Sequence, residues 1–188
     1  MELVQEVREG RLEPPPGSVL STIALHRDGS GELLDLPVAG VELLNVLRPT
    51  VAVSVYITFA ALALHEYPET RDKLRNGRDG YDHAFAQEVR RFYPFFPAVA
   101  ARVSRSFEWH GYPFPEGRLV VLDLYGTNHD PKKWERPKAF LPERFPGPSM
   151  CPFHFIPQGG GDPLANHRCP GEGVALELIK AAAPVAAA

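Results

Sequence analysis

His167-Arg168-Cys169-Pro170-Gly171-Glu172-Gly173 runs straight into an apolar stretch, Val174 to Ala183. The stretch reads as a helix and the heptapeptide as its entrance. A sulfur held there feels the positive end of the helix dipole and nearby free N–H groups, which favour its ionised form. Pro170 suits the first helical position, where the missing N–H has no partner to lose. Gly171 and Gly173 carry no side chains, so a flat, bulky group can approach the backbone closely. Upstream, Phe155-Ile156-Pro157-Gln158-Gly159-Gly160-Gly161 supplies a loop able to fold tightly around that group. Two readings of Cys169 follow. It is a buried, inert small hydrophobe, or it is a thiolate with open space above it, as a haem iron requires of an axial ligand.

Composition narrows the choice. At 188 residues the chain is long enough for one core, given ~100–200 residues per domain. A net charge of −3 with mixed signs gives no basic footprint for nucleic acid. Two cysteines, Cys151 and Cys169, permit one bridge at most and do not make a secreted disulfide framework. Met1 to Arg11 is charged rather than apolar, so neither a signal peptide nor a location outside the cytoplasm is expected. Twenty prolines, dense at Pro14-Pro15-Pro16 and between Pro94 and Pro157, predict long irregular connections in the second half.

The longest apolar run, Val51 to Leu64, is shorter than the ~20 residues a membrane span takes, so no transmembrane segment is expected. It belongs to a core helix from Leu36-Pro37 to His65, roughly 28 residues and ~40 Å long. Shorter helices are expected at Glu2–Arg8, Ser18–His26, Glu69–Arg75 and Tyr81–Phe92, the last stopping at Tyr93-Pro94. Val103–Trp109 and Arg118–Leu122 read as strands, joined through His110-Gly111 and Pro115-Glu116-Gly117. From Asn128 to Gln158 little regular structure is expected, and a connection of that length in a compact domain normally signals function. The class is mainly α with a small β-sheet.

Arg48 and Pro49 are the odd residues of the long helix. Arg48 sits among Leu43, Leu44, Val46, Leu47, Val51 and Val53. Pro49 removes one helical hydrogen bond and crowds the carbonyl of Asn45, so a bulge or kink is expected. A surface arginine lying along its own stem, or one paired with Glu42, is one reading. The other is an anion receptor inside a pocket, since guanidinium matches carboxylate in a two-pronged geometry; the apolar surroundings favour it. Glu88 and Arg91 lie three apart on one helix, close enough to meet, and Arg144 could close a triad with them.

In this order the pieces resemble the cytochrome P-450 haem-thiolate family. A long helix is followed by Glu88-x-x-Arg91, then Asn128-His129-Asp130-Pro131 with Trp134, Pro137 and Phe140, then Pro142-Glu143-Arg144-Phe145, and last the cysteine loop. The resemblance covers nearly the whole chain and implies that residues 1–188 are a single incomplete domain, the C-terminal portion of that fold. It implies Cys169 as iron ligand, haem b as cofactor, and Glu88, Arg91 and Arg144 as a buried structural triad.

Two departures point to one branch. Where most members carry an acid followed by Thr, this chain reads Asn45-Val46-Leu47-Arg48-Pro49-Thr50. Where most place Arg two residues before the cysteine, His167 stands, with Arg168 adjacent. The stretch from Gly159 to His167 is also longer than usual. These features resemble bacterial fatty-acid peroxygenases, which hydroxylate or decarboxylate with hydrogen peroxide. There an Arg-Pro pair holds the substrate carboxylate, which implies a catalytic role for Arg48 and Pro49. Gln158, His167 and Gly171 are expected to seat the haem.

Peroxide carries both oxygens and both electrons, so no redox partner is expected. A proton must still be moved, and the pinned carboxylate of a fatty acid can move it if it lies within ~3 Å of the peroxide oxygen or one water away. Oxidation would then fall at the α or β carbon. The alternatives are a reductase-dependent monooxygenase of the same family and a non-catalytic truncated gene product.

Overall fold

The computed structural model describes residues 1–77, 80–147 and 150–187. The chain divides into two compact units, Met1–Ser54 and Val55–Ala188.

The first unit contains α1 (Glu2–Arg8), α2 (Val19–Leu25) and the start of α3 (Leu36–Glu66). Ser18 caps α2 by accepting the amide of Ser21 at 3.2 Å. Val4, Val7, Ala24 and Ala39 form a small buried core. Arg8 ties the unit together, donating from Nε to the Ala24 carbonyl and from Nη2 to that of Leu34, both at 2.8 Å. α3 is helical throughout its 31 residues, so Pro49 does not break it. Next to the gap, the Thr50 hydroxyl donates to the Val46 carbonyl at 2.8 Å.

α3 is long and apolar enough to cross a membrane, a criterion that core helices also meet. Its C-terminal part behaves as a core helix, burying Tyr56, Ala60, Ala63 and Leu64 in the second unit.

In that unit α4 (Glu69–Arg75) and α5 (Tyr81–Phe92) follow. Leu74, Phe85 and Val89 from these helices close the core. Tyr56 stacks on Phe95 with centroids 4.2 Å apart, and Phe59 on Tyr93 at 5.0 Å. The Phe59–Tyr93 pair falls in the favourable range for aromatic pairs, and Tyr56–Phe95 is slightly closer than that range.

Four short strands come next: β1 (Ala98–Arg102), β2 (Phe107–Trp109), β3 (Tyr112–Phe114) and β4 (Leu119–Asp123). β1 pairs antiparallel with β4, Ala98 opposite Asp123; β2 pairs with β3, Phe107 opposite Phe114. The strand expected at Val103–Trp109 is therefore two things. Val103 ends the β1 ladder, donating to Arg118 O at 2.9 Å, and a new hairpin starts at Phe107. His110 and Gly111 both have positive φ, 49° and 76°. That is the geometry of a two-residue turn whose twist matches the hairpin.

α6 (Leu124–Asn128) follows, with Asp123 as N-cap accepting from the Gly126 amide at 2.6 Å. Among the described residues, the connection after it holds one 3-10 turn, Pro142–Arg144. The chain closes with α7 (Glu172–Ala187), which packs Ile179 and Ala183 into the core. Helix thus begins at Glu172, not at Pro170, and Pro170-Gly171 form a turn before it. It also runs beyond Ala183, continuing through Pro184 into an alanine-rich tail whose alanines favour helix.

Candidate functional site

Cys169 lies half-buried in a loop closed by backbone bonds. Its N–H donates to the Gln158 carbonyl at 2.9 Å, and its own carbonyl accepts from Glu172 N–H at 3.2 Å. Around it, Gly160 N–H reaches the His167 carbonyl at 3.2 Å and Gly161 N–H that of Pro152 at 2.9 Å. Gly159 makes this possible: its φ is 93°, and a Cβ there would stand 2.0 Å from the His167 carbonyl oxygen. Cys169 and the exposed Cys151 are both free thiols.

The backbone beside the sulfur is open. A Cβ on Gly171 would meet only Cys169 Sγ, at 3.7 Å, and one on Gly173 would meet nothing within 4 Å. Among the described residues no cluster of three His, Cys, Asp or Glu side chains could hold a bare metal ion. A single cysteine beside open backbone nevertheless fits a haem, which would ask the protein for one sulfur ligand, and Cys169 would be that ligand.

Glu88, Arg91 and Arg144 come together on the α5 side of this unit. Arg91 grips Glu88 with two parallel bonds, Nε to Oε2 at 2.8 Å and Nη2 to Oε1 at 2.7 Å. Both residues are 0% exposed. Arg91 also donates to the carbonyls of Asn128 and Pro137, both at 3.0 Å, and of Ala139 at 3.2 Å. Arg144 approaches the same carboxylate, Nε to Oε2 at 3.2 Å, and donates to the Glu135 carbonyl at 2.8 Å. The Leu141 amide completes the set at 2.8 Å from Glu88 Oε1. A buried ion pair needs this many bonds, because desolvation otherwise outweighs the Coulomb gain. The cluster thereby pins the long irregular connection to α5.

A second buried cluster escaped the sequence reading. Arg90 is 1% exposed. Its Nε donates to Gln158 Oε1 at 3.1 Å, its Nη1 to Gln87 and its Nη2 to Glu172, while its guanidinium lies 5.2 Å from the Phe155 ring centroid. Arg168 donates to the other oxygen of Glu172. Burial pushes the Glu172 carboxyl up, but Arg168 and Arg90 outweigh it and hold the group below its ordinary value of 4.5. Tyr56 sits in the same field: burial raises its hydroxyl strongly, Arg90 opposes this, and Glu172 and Cys169 add to it. No periodic signal marks Arg90. α5 is buried on nearly every side, so a polar residue that reads as surface lies inside.

The remaining expected residues fall as follows. Gln158 serves the loop twice, by its carbonyl toward Cys169 and by its side chain toward Arg90. His167 is exposed and lends its carbonyl to the Gly160 amide. Arg48 and Pro49 are exposed on α3 beside exposed Leu44, Leu47 and Val51. Within Met1–Ser54, then, Arg48 is not enclosed in a pocket, because that unit's core uses Ala39, Leu43 and residues before them, and not this stretch. Among the described residues Arg48 has no ion-pair partner, so the pairing with Glu42 does not form.

Residues 81–182 match the cytochrome P-450 family model. The solved structure of cytochrome P-450EX alpha (CYP152N1) with myristic acid aligns at a TM-score of 0.84 and 50% identity, over 98% of this chain and 44% of that one. Cytochrome P-450SP alpha (CYP152B1) in complex with (R)-ibuprophen aligns at 0.84 and 53% identity, over 97% and 44%. A variant of cytochrome P-450 OleT in complex with arachidonic acid aligns at 0.86 and 37%, over 99% and 44%. Cytochrome P-450 4A7 of Oryctolagus cuniculus is 30% identical over 152 residues, 71% of this chain and 29% of that protein. The chain thus spans less than half the length of these relatives.

Proposed function

Because this chain belongs to the cytochrome P-450 family, we propose that it provides the thiolate-ligand side of a haem b peroxygenase that oxidises fatty acids with hydrogen peroxide. The observation that carries the reading is the cysteine loop. Cys169 has its peptide bonded at both ends, while the backbone next to its sulfur is bare. When bound there, haem supplies the oxidising chemistry, and an electron-rich thiolate favours O–O cleavage.

The peroxide and fatty-acid parts rest on two supports. Arg48-Pro49 stands in α3 where the resemblance leads one to expect an acid–Thr pair. The relatives sharing 50% and 37% identity were solved with myristic and arachidonic acid. In this reading Arg48 receives the substrate carboxylate through two N–H donors and orients the chain. The carboxylate then serves as general acid–base for the proton that must move during peroxide cleavage. Pro49 has no N–H to offer and sets the local course of α3. Gln158 and Gly171 keep the sulfur side of the haem pocket in place and open, with His167 at its edge. The oxidised position lies at the α or β carbon, the carbons nearest the carboxylate.

The test is peroxide-driven oxidation of a long-chain fatty acid by haem-loaded protein containing this chain. Arg48→Ala should weaken substrate binding by ~1.5–3 kcal/mol, the usual cost of losing a charge-assisted hydrogen bond. It should also stay slow at saturating substrate, with haem content unchanged. Arg48→Lys should recover little, because an ammonium lacks the fork. Unchanged turnover in Arg48→Ala, or equal turnover of a fatty-acid methyl ester, overturns substrate assistance; turnover only with a reductase identifies an ordinary monooxygenase.

A further inference from the structure

The reaction proposed above assigns no role to Arg90, whose contacts are Gln87, Gln158, Glu172 and Phe155. A guanidinium is nevertheless costly to enclose unless its donors are met, and Arg90 is enclosed almost completely. Two of its partners converge on one peptide. Gln158, held by Arg90 Nε, accepts the Cys169 N–H. Glu172, held by Arg90 Nη2, donates its N–H to the Cys169 carbonyl. The residue at the far end of each hydrogen bond of the Cys169 peptide is therefore gripped by the same side chain.

We infer that Arg90 is a positioning residue for Cys169, clamping the ligand loop onto α5 from both sides of the sulfur-bearing residue. The fork geometry of guanidinium suits this task. Its donors diverge in a fixed plane, so it can reach Gln158 and Glu172 at once and fix their separation. Gln87 takes a third donor, and the Phe155 ring lies 5.2 Å away, which leaves the group little freedom to turn. Arg168 adds a brace by binding the second oxygen of Glu172. The clamp couples α5 to the Gln158 turn and the start of α7, which lie 68 and 82 residues further along the chain. Its effect at iron rests on the haem reading above; its effect on the loop does not.

Two readouts keep these apart. In the full 188-residue chain, amide hydrogen exchange should report the loop without any cofactor. Arg90→Gln should speed exchange at Cys169 and Glu172 by about tenfold or more, as expected when a local opening loses a charge-assisted bond. Exchange in the α3 and α7 core segments should stay as it was. Arg90→Lys should recover only part of the protection, since one ammonium cannot hold both partners. Should Arg90→Gln fail to fold, Gln158→Ala and Glu172→Gln each cut one arm and should each loosen the Cys169 peptide. In haem-loaded protein, reduced iron with carbon monoxide should lose its red-shifted thiolate band faster in Arg90→Gln than in the parent. Unchanged loop exchange, a uniform rise across Val55–Ala188, or full rescue by Lys each overturns the clamp. A parent protein that never shows the thiolate band overturns the haem reading instead, and the exchange data still judge Arg90.

Discussion

Glu88 and Arg91 face each other across one turn of α5 through two parallel hydrogen bonds, and neither side chain reaches solvent. Such a pair has little value on a surface. Here it has no water to fall back on, and it also holds the backbone at Asn128, Pro137, Ala139 and Leu141. The pair is a fastener for a connection that has almost no secondary structure of its own.

Removing Arg91 should therefore be far worse than removing an exposed charge. Arg91→Ala leaves the buried Glu88 carboxylate with only Arg144 and the Leu141 amide, and breaking a buried pair in this way costs ~3–5 kcal/mol. Urea unfolding should show a midpoint lowered to match, or the variant should be insoluble. Arg144→Ala should cost less, because its side chain keeps 11% of its area in solvent and Glu88 retains Arg91. Near-parental unfolding of Arg91→Ala would show the pair to be ornamental.

Ligation can be read directly. Cys169→Ser should abolish the red-shifted carbon monoxide band of reduced, haem-loaded protein, and Cys151→Ser should leave it intact. The opposite pattern would move the ligand to Cys151, which is exposed and free.

Gly159→Ala should damage the loop more than its size suggests. The new methyl would stand 2.0 Å from the His167 carbonyl oxygen, at a φ of 93° that side chains avoid. Backbone, not a flexible side chain, would have to move. Thermal unfolding and haem retention should both fall, whereas Gly171→Ala, whose methyl meets only Cys169 Sγ at 3.7 Å, should keep its stability.

Acid sensitivity should come in two stages. His129 is held below its ordinary 6.5 chiefly by burial, against its bond to the Tyr125 carbonyl and with Arg91 and Arg144 nearby. Its Nε2 is buried with no hydrogen-bond partner among the described residues. The unfolded chain thus takes up this proton more readily than the folded one, so the contribution is complete above 6.5 and is lost as pH falls below it. Glu172, held below 4.5, contributes fully above that value and loses its contribution as pH drops through the folded value. His129→Phe should flatten the upper limb of a stability–pH curve and Glu172→Gln the lower one. A curve unchanged by both would remove these groups from the acid response.

The helices were legible because local signals agreed with tertiary ones. Tyr93-Pro94 stops α5 where proline geometry says it must, and Ser18 starts α2. The Glu88, Arg91 and Arg144 residues could be named in advance, since their spacing and order carry the family resemblance. β1 and β3 were hidden. Ala98–Arg102 is alanine-rich, and β3 contains Pro113, so neither shows strand composition; long-range pairing with β4 and the tight turn at His110-Gly111 decide them. The start of α7 was misplaced because the Glu172 N–H is spent on the Cys169 carbonyl, a turn that delays the helix. Arg90 was invisible because its partners Gln158 and Glu172 lie far along the chain, and a charged residue bound that way leaves no periodic trace.

Pro49 has a spectroscopic consequence. It continues α3 but brings no amide proton, so the carbonyl of Asn45 loses its donor one turn ahead. The next carbonyl, Val46, has the reverse condition, since the Thr50 hydroxyl bonds to it at 2.8 Å beside the helical amide. Two neighbouring carbonyls of one helix thus differ by two bonds. With a single carbon-13 carbonyl placed at either position, the isotope-shifted amide I band of Asn45 should lie above, and that of Val46 below, the band of the same label at an ordinary position of α3.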